Sequence, residues 1–369
     1  MFKEVFKNKK VLITGNTGFK GSWLSTWLIE LGADVYGISI DIPTNPSMFE
    51  ELKLEKIITH FNADVRDYPT IKKIIEDVKP DFLFHMAAQP IVVTSYKDPI
   101  DTISTNVMGT ANILEALRET NNKCTAIIIT SDKCYDNVEW VWGYKESDAV
   151  GGQDIYSGSK GAAELIFKSY YHSFFKNAEK SNVRIASVRA GNVIGGGDWA
   201  DYRIVPDCIK AWIEGQSVEI RSPKATRPWQ HVLEPLSGYL AIAQELYENI
   251  NCNGESFNFG PNAEYNKTVK ELLDDLSKNW KLKQEPSFLA EETSEFHEAG
   301  LLKLNCDKAL FHLKWLPTLD YNKLIEFTST WYYSFYNDKT DMFKFTNNQI
   351  KEYEEIAKKK DIEWTKMKL

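Results

Sequence analysis

Short apolar runs alternate with segments of helical periodicity along the first half of the chain. Val and Ile dominate the runs, which is typical of buried strands. The predicted strands cover residues 11–14, 33–40, 81–86, 124–130 and 183–188. The predicted helices between them cover residues 22–31, 71–78, 99–120 and 161–175. Strands that alternate with helices in this way predict an α/β fold with a doubly wound parallel sheet.

The pattern becomes less regular after about residue 190, where glycines and prolines interrupt it. Shorter helices are predicted at residues 206–214, 235–248 and 268–279. We expect residues 1–190 to form mainly the sheet domain. Residues 191–335 should form a smaller mixed region that covers the carboxyl edge of the sheet and partly returns to it. The Lys- and Glu-rich tail, residues 336–369, is predicted to be a solvated helix.

Composition excludes several classes of protein. The 369 residues carry a formal net charge of -8, without the basic balance that nucleic-acid binding usually needs. The five cysteines are an odd number and form no C-x-x-C pair, so neither a disulfide framework nor a metal site is indicated. Reduced thiols suit a cytoplasmic protein. We see no signal peptide and no apolar run of membrane-spanning length.

A glycine-rich loop joins the first predicted strand to the first predicted helix. Gly15, Gly18 and Gly21 form a variant of the dinucleotide-binding pattern, in which backbone N–H groups at a helix N-terminus bind a pyrophosphate. Asp41 ends the next strand, where a carboxylate can accept hydrogen bonds from ribose hydroxyls and repel a 2′-phosphate. This favours NAD over NADP, although Lys20 in the loop is a cation that could tolerate an extra phosphate.

Two further stretches carry titratable groups. Ser131 ends a predicted strand and is followed by Asp132 and Lys133, and Tyr156 precedes Lys160 by one helical turn. A Lys at that spacing can lower the pKa of the Tyr phenol, which would help it remove a proton from an alcohol. An ordinary surface pair and a solvated turn are the alternatives. The order of glycine loop, strand end and Tyr-x-x-x-Lys favours a catalytic site.

Together these residues resemble the extended short-chain dehydrogenases/reductases that act on nucleotide sugars, and most of all the CDP-glucose 4,6-dehydratase family. The resemblance extends from about residue 8 to about residue 335. It is carried by residues 18–24, 85–90, 104–110, 130–136, 140–144, 156–165, 188–199 and 227–239.

The resemblance implies a Rossmann-type sheet, bound NAD and a redox-neutral loss of water from CDP-glucose, giving a 4-keto-6-deoxy sugar. Tyr156 would take the proton of the sugar 4-hydroxyl, assisted by Lys160 and Ser131. Asp132 would protonate the departing 6-hydroxyl as general acid. Lys133 would remove the C5 proton, where related dTDP-sugar enzymes have a Glu, and it must be neutral to do so.

The resemblance also implies two sets of binding residues. The cofactor would contact Gly15, Thr17, Gly18, Phe19, Lys20, Gly21, Asp41, Asp64, Val65, Ala87, Ala88, Gln89, Asn106, Tyr156 and Lys160. The nucleotide sugar would contact Gln89, Asn192, Arg203, Ile204, Arg221, Arg227, His231, His297 and Glu298. Self-association through the helices at 99–120 and 156–175 is expected as well, with neither a membrane nor a nucleic acid as partner.

Three other functions stay open at this point. A nucleotide-sugar 4-epimerase would share the cofactor fold and Tyr-x-x-x-Lys, but it returns hydride to the same carbon. It therefore needs no separate acid and base, and Asp132 with Lys133 favours the dehydratase. A dehydratase for another nucleoside diphosphate hexose is the second alternative. A non-catalytic binding module is the third, and the complete set Ser131, Tyr156 and Lys160 argues against it.

Overall fold

The computed structural model describes residues 1–220, 223–262, 267–280, 288–290, 301–338 and 340–366. The described strands are β1 (Lys10–Thr14), β2 (Asp34–Ser39), β3 (Thr59–Asn62), β4 (Phe82–His85), β5 (Cys124–Ile129), β6 (Val183–Ala190), β7 (Val193–Ile194), β8 (Val218–Ile220), β9 (Thr226–Arg227), β10 (Gln230–His231), β11 (Ser256–Phe259), β12 (Lys267–Thr268) and β13 (Phe288–Ala290).

The described α-helices are α1 (Phe19–Glu30), α2 (Met48–Glu51), α3 (Tyr68–Val78), α4 (Val92–Lys97), α5 (Pro99–Ile103), α6 (Gly109–Thr120), α7 (Ile155–Tyr170), α8 (Ile204–Ile213), α9 (Leu233–Glu248), α10 (Val269–Trp280), α11 (Asp307–Leu313), α12 (Tyr321–Tyr333) and α13 (Met342–Lys359). A π-helical turn, Ser104–Met108, joins α5 to α6.

The main sheet has seven strands in the order β11-β6-β5-β4-β1-β2-β3, and each neighbouring pair is parallel. Apolar side chains fill both of its faces in two separate clusters, as a doubly wound sheet requires. The predicted fold class is confirmed. Because all seven strands run the same way, the loops that follow β1, β2, β4 and β5 meet at one carboxyl edge.

The strand and helix predictions hold with boundary shifts of a few residues. The predicted 99–120 helix is interrupted by the π-helical turn, a feature that hydrophobic periodicity does not encode. Two strands of the main sheet were missed. β3 carries polar residues in a half-exposed position at one edge of the sheet, and β11 is only four residues long at the other edge.

The prediction of a solvated C-terminal helix was wrong about its solvation. α13 packs on α1, and Ile350, Tyr353 and Ala357 on its inner face are fully buried. Trp364, just beyond the helix, stacks on Phe2 and on Tyr353. Most charged residues of the tail lie on the outer face, so composition alone did not reveal that α13 is amphipathic.

None of the helices in the described part of the chain combines the length and the apolar composition that crossing a bilayer requires.

Candidate active site

Two glycines in the loop after β1 and the start of α1 leave no room for a side chain. Gly15 has a φ of +76°, and a Cβ there would lie 2.8 Å from the Ala87 nitrogen. A Cβ on Gly21 would lie 2.1 Å from the Gly15 carbonyl oxygen. The loop therefore keeps its backbone open above the first turn of α1, where unpaired N–H groups can bind a phosphate. The glycine loop and the N-terminus of α1 therefore fit the pyrophosphate of a dinucleotide.

Hydrogen bonds connect this loop to the ends of β2 and β4. The Thr17 hydroxyl donates to the main-chain carbonyl of Asp41 at 2.7 Å, and Thr14 Oγ1 accepts from the Ala87 nitrogen at 3.1 Å. Loops from three strand ends thus form one wall of a cavity of about 940 Å³. The predicted cofactor residues in its lining are Gly15, Thr17, Gly18, Phe19, Lys20, Gly21, Asp41, Asp64, Val65, Ala87, Ala88, Gln89, Tyr156 and Lys160.

Asp64 lies in the loop after β3, and this loop forms one end of the cavity. Its carboxylate accepts from Arg66 Nε at 2.8 Å, and Arg66 also pairs with Asp101 at the start of α5. Arg66 holds the pKa of Asp64 below its usual range, mainly through this hydrogen bond. The carboxylate is therefore ionised and oriented, and it retains lone pairs for another donor.

The five predicted catalytic residues line the same cavity, from two elements. Ser131, Asp132 and Lys133 follow β5, while Tyr156 and Lys160 face the cavity from the first two turns of α7. Asp154 caps α7 by accepting from the Ser157 nitrogen at 2.9 Å, which fixes where the helix begins. The Ser131 hydroxyl donates to Asp132 at 3.1 Å and accepts from the Lys133 nitrogen at 3.3 Å.

Burial dominates the titration of these groups. It raises the pKa of Tyr156 to about 12 and lowers the pKa of Lys160 to about 8, since each side chain is nearly excluded from water. The net shift of Tyr156 is thus opposite to the one that its spacing from Lys160 predicts. Burial also raises the pKa of Asp132, although Lys133 and the Ser131 hydroxyl oppose this shift.

Lys133 is the least buried of the five predicted catalytic residues. Its Nζ lies 6.0 Å from the centroid of the Tyr156 ring, beside the phenol that would bind the sugar 4-hydroxyl. Asp132 lies deeper, with its carboxylate against Gly191 at the end of β6, where a Cβ would be 3.0 Å from Oδ2. An amine and a carboxyl therefore occupy different depths of one wall, as separate proton donors and acceptors require.

The lining of the cavity also includes four of the predicted substrate residues, Asn192, Arg203, Ile204 and Arg227. Arg203 immediately precedes α8, and Ile204 begins that helix. Asp198 accepts from Arg203 Nη1 at 2.8 Å. The guanidiniums of Arg203 and Arg227 suit the oxygens of a diphosphate.

Two predicted site residues do not line the cavity. Asn106 lies behind it, where its amide donates to Ser159 Oγ at 2.9 Å and to the Gln89 carbonyl at 3.1 Å. His231 is fully buried between Trp23 and Phe327, with ring centroids 5.7 and 5.5 Å away. Arg221, His297 and Glu298 lie outside the described residues.

Gln89 lines the cavity, but protein groups hold its side-chain amide. Its Nε2 donates to Thr102 Oγ1 at 2.8 Å, and its Oε1 accepts from the Ile91 nitrogen at 2.6 Å. These bonds tie the loop after β4 to the helices that follow it.

Sequence reasoning missed a buried ion pair behind α7. Glu164, one turn beyond Lys160, pairs with Arg189 on β6 at 2.9 Å and accepts from Thr130 Oγ1 at 2.5 Å. Its charge partly offsets the lowering of the Lys160 pKa by burial. The i+4 spacing from Lys160 was the available signal, but nothing local to Glu164 identifies a partner 25 residues away.

Within the described ranges, no three His, Cys, Asp or Glu side chains are grouped closely enough to hold a metal ion.

Comparisons with known proteins agree with this geometry. The family model described as "GDP-mannose 4,6 dehydratase" matches residues 12–328. The chain is 46% identical to the CDP-glucose 4,6-dehydratase of Salmonella typhimurium over 95% of this chain and 98% of that protein. It is 26% identical to the CDP-paratose 2-epimerase of Salmonella typhi, over 72% of this chain and 82% of the epimerase.

Among solved structures, one similar fold is that of the dTDP-glucose 4,6-dehydratase DesIV of Streptomyces venezuelae, which was solved with NAD bound. The TM-score is 0.75 at 20% identity, with 89% of this chain and 98% of that chain covered.

Proposed function

The chain belongs to the GDP-mannose 4,6 dehydratase family, and on that premise we propose that it dehydrates CDP-glucose. The reaction comprises oxidation at C4, elimination of water across C5 and C6, and reduction at C6. Its product is CDP-4-keto-6-deoxy-glucose. The identity of 46% to the Salmonella CDP-glucose enzyme supports the choice of this substrate within the family.

One observation carries the proposal: Asp132 and Lys133 line the same cavity as Ser131, Tyr156 and Lys160. Oxidation of an alcohol needs only the last three residues. An additional acid and an additional amine are what a subsequent elimination of water needs. A 4-epimerase has no step that uses them.

NAD is the cofactor of this proposal, held by the glycine loop, Asp41 and Asp64. It supplies a hydride acceptor for C4 and a hydride donor for C6. Asp41 in the lining supports NAD over NADP. Burial lowers the pKa of Lys20 to about 8, and the nearby Arg203 charge adds to this shift.

Tyr156 takes the proton of the sugar 4-hydroxyl in this proposal. Its raised pKa means that the phenol is protonated at neutral pH, so the phenolate has to form within the complex. A hydrogen bond with the Ser131 side chain lowers the pKa of Tyr156 against the effect of burial, and so favours the phenolate. Lys160, with a pKa of about 8, is mainly cationic at pH 7 and stabilises the same anion.

Lys133 and Asp132 carry the elimination. Lys133 removes the C5 proton once the neighbouring C4 has become a ketone, which acidifies that proton. Asp132 is kept protonated more readily than an exposed Asp because burial raises its pKa. It can therefore deliver a proton to the departing 6-hydroxyl as general acid.

We propose that the sugar nucleotide is bound by Asn192, Arg203, Ile204 and Arg227, with Arg221, His297 and Glu298 as further contacts. His231 is not among them, because its side chain is fully buried and does not line the cavity. Under this assignment, residues 1–190 mainly hold the cofactor and residues 191–335 mainly hold the substrate.

We also propose that the protein is a homo-oligomer. Ile100, Met108 and Leu165, on the helices predicted for self-association, have exposed fractions of 73%, 53% and 56%. Large apolar side chains this exposed on adjacent helices indicate a surface that a second copy covers.

The test is to incubate the purified protein with CDP-glucose and NAD, and to weigh the product by mass spectrometry. Loss of about 18 mass units, one water, is expected for the dehydratase. Parallel reactions with dTDP-glucose, UDP-glucose and GDP-mannose identify which nucleotide sugar the protein accepts. An unchanged mass together with a 4-epimer of the sugar would favour the epimerase. No change with any of these substrates would leave the binding module as the better description.

A further inference from the structure

The turn that follows β7 is held by aromatic residues of α12 and of the π-helical turn Ser334–Asp338 that continues it. A Cβ on Gly196 would lie 2.0 Å from Cγ of Trp331, so only glycine allows this approach. Tyr332 donates its hydroxyl to the main-chain carbonyl of Asp198 at 2.5 Å and accepts from the Asp198 nitrogen at 3.2 Å. Trp199 Nε1 donates to Tyr336 at 2.8 Å. The backbone of Asp198 is therefore fixed on both sides.

The Asp198 side chain is only 6% exposed, and both of its oxygens have partners. Oδ1 accepts from the Ala200 nitrogen at 3.1 Å, and Oδ2 accepts from Arg203 Nη1 at 2.8 Å. A buried carboxylate that is satisfied in this way has one orientation. It transmits that orientation to Arg203.

Arg203 has donors left for a ligand. A guanidinium carries five N–H groups in a planar fork, and the bond to Asp198 uses one of them. Its side chain is 33% exposed, and it lines the cavity together with Tyr156, Lys20 and Asn192.

Asp198 also supplies negative charge in a region that contains two cations, Arg203 and Lys20. Lys20 and Arg203 line the same cavity, and burial together with the Arg203 charge lowers the pKa of Lys20 to about 8. Asp198 is the largest single influence that raises the Arg203 pKa. Without this carboxylate, repulsion from Lys20 and the rotational freedom of a long side chain would both displace the guanidinium.

We propose that Asp198 is a positioning residue, whose buried carboxylate holds the Arg203 guanidinium in the orientation that binds the diphosphate of the sugar nucleotide. The proposal rests on the function proposed above for this cavity. It adds a residue that does not itself touch the substrate.

The test is a double-variant cycle with Asp198→Asn and Arg203→Lys, which measures the KM for CDP-glucose, kcat and, by calorimetry, the Kd of CDP-glucose. Asp198→Asn should raise KM and Kd about tenfold and change kcat less than about threefold, because a bond to bound substrate is lost and not one made in the transition state. NAD binding should stay unchanged.

The double variant distinguishes positioning from a structural role. If Asp198 acts through Arg203, the double variant binds CDP-glucose no more weakly than Arg203→Lys alone, and the single effects do not add. Asp198→Glu, which keeps the charge, should recover part of the affinity. Fully additive effects, or a lower Tm of Asp198→Asn at unchanged Kd, would refute the proposal.

The proposed function can fail separately. If the wild-type protein neither binds nor converts CDP-glucose, the substrate assignment is wrong, and the same cycle is then measured with whichever nucleoside diphosphate sugar the protein binds. If the wild type is active and Asp198→Asn has wild-type affinity, only the positioning role is refuted.

Discussion

Tyr156 and Lys160 show how one environment acts oppositely on an acid and a base. Both side chains are almost fully buried, and burial disfavours the charged form of each, which raises the Tyr156 pKa and lowers the Lys160 pKa. The spacing of the pair is local information, but the sign of the net shift depends on everything that packs around it. The catalytic set therefore requires substrate contacts to stabilise the phenolate.

Lys133 can be tested as the C5 base. Lys133→Ala should lower kcat by about 10²–10⁴-fold, the range in which a lost general base usually falls. Exchange of the C5 proton in heavy water, followed by NMR of the recovered sugar nucleotide, should slow in parallel. Lys133→Arg is the matched control because it keeps the positive charge without a usable base, and it should be equally impaired. Normal exchange in both variants would exclude this role.

Replacing Asp132 should raise the thermal stability of the protein and lower its activity. Burial raises its pKa in the folded protein, so its ionised form is destabilising above the unfolded pKa. Asp132→Asn should therefore raise Tm at pH 8 by about 1–3 °C, while the dehydratase rate falls. The difference in Tm should shrink as the pH falls through about 4 and below, where the carboxyl becomes protonated in the unfolded state as well. Thermal melts of both proteins across this pH range measure it, and a variant less stable at pH 8 would contradict the argument.

At the scale of elements, one buried carboxylate contributes to the attachment of the C-terminal helix, beside its apolar packing on α1. Glu234 at the start of α9 accepts from the nitrogens of Thr318 and Leu319, at 2.9 and 2.6 Å, and from the Tyr353 hydroxyl at 2.9 Å. Burial raises its pKa to about 7, and these bonds oppose the shift. α13 is thus an integral layer of the molecule.

Tyr353→Phe tests this attachment. Loss of one hydrogen bond to a buried acceptor should lower the free energy of unfolding by about 1–3 kcal/mol. Because the Tyr353 hydroxyl lowers the Glu234 pKa, it stabilises the ionised form, and the loss should be greater at pH 8 than at pH 5.5. Urea unfolding at both pH values gives the two free energies.

Lys351→Ala is the control for that comparison. Lys351 lies on the same helix, is 55% exposed and pairs with Glu30 at 3.0 Å. An exposed ion pair of this kind contributes roughly 0–1 kcal/mol, so this variant should unfold nearly like the wild type. If both variants lose equal stability, the helix as a whole and not the Glu234 contact is responsible.

At the scale of the whole molecule, the proposed self-association can be tested with one charge on the apolar surface. Leu165→Glu should shift the sedimentation coefficient toward that of a single chain, because a buried unpaired carboxylate opposes association. Phe311→Glu is the control: Phe311 is 71% exposed on α11, away from that surface. A monomeric wild type, or equal shifts in both variants, would exclude this interface.

Local sequence determined the features that depend on neighbouring residues. The apolar runs, the Gly15 turn and the Tyr156–Lys160 spacing each arise within a few positions, and the doubly wound sheet follows from their alternation. The resemblance of whole motifs then indicated the chemistry. Edge strands such as β3 and β11 were missed because pairing with a distant strand, not their own pattern, makes them strands.

Only the tertiary structure decided what depends on residues far apart in the chain. It buried His231 away from the cavity, turned the charged tail into a packed layer, and joined Asp198 to Arg203 on a turn held by α12. It also reversed the expected shift of the Tyr156 pKa. Burial and charge are sums over the whole surrounding volume, so no pattern confined to one segment of sequence can contain them.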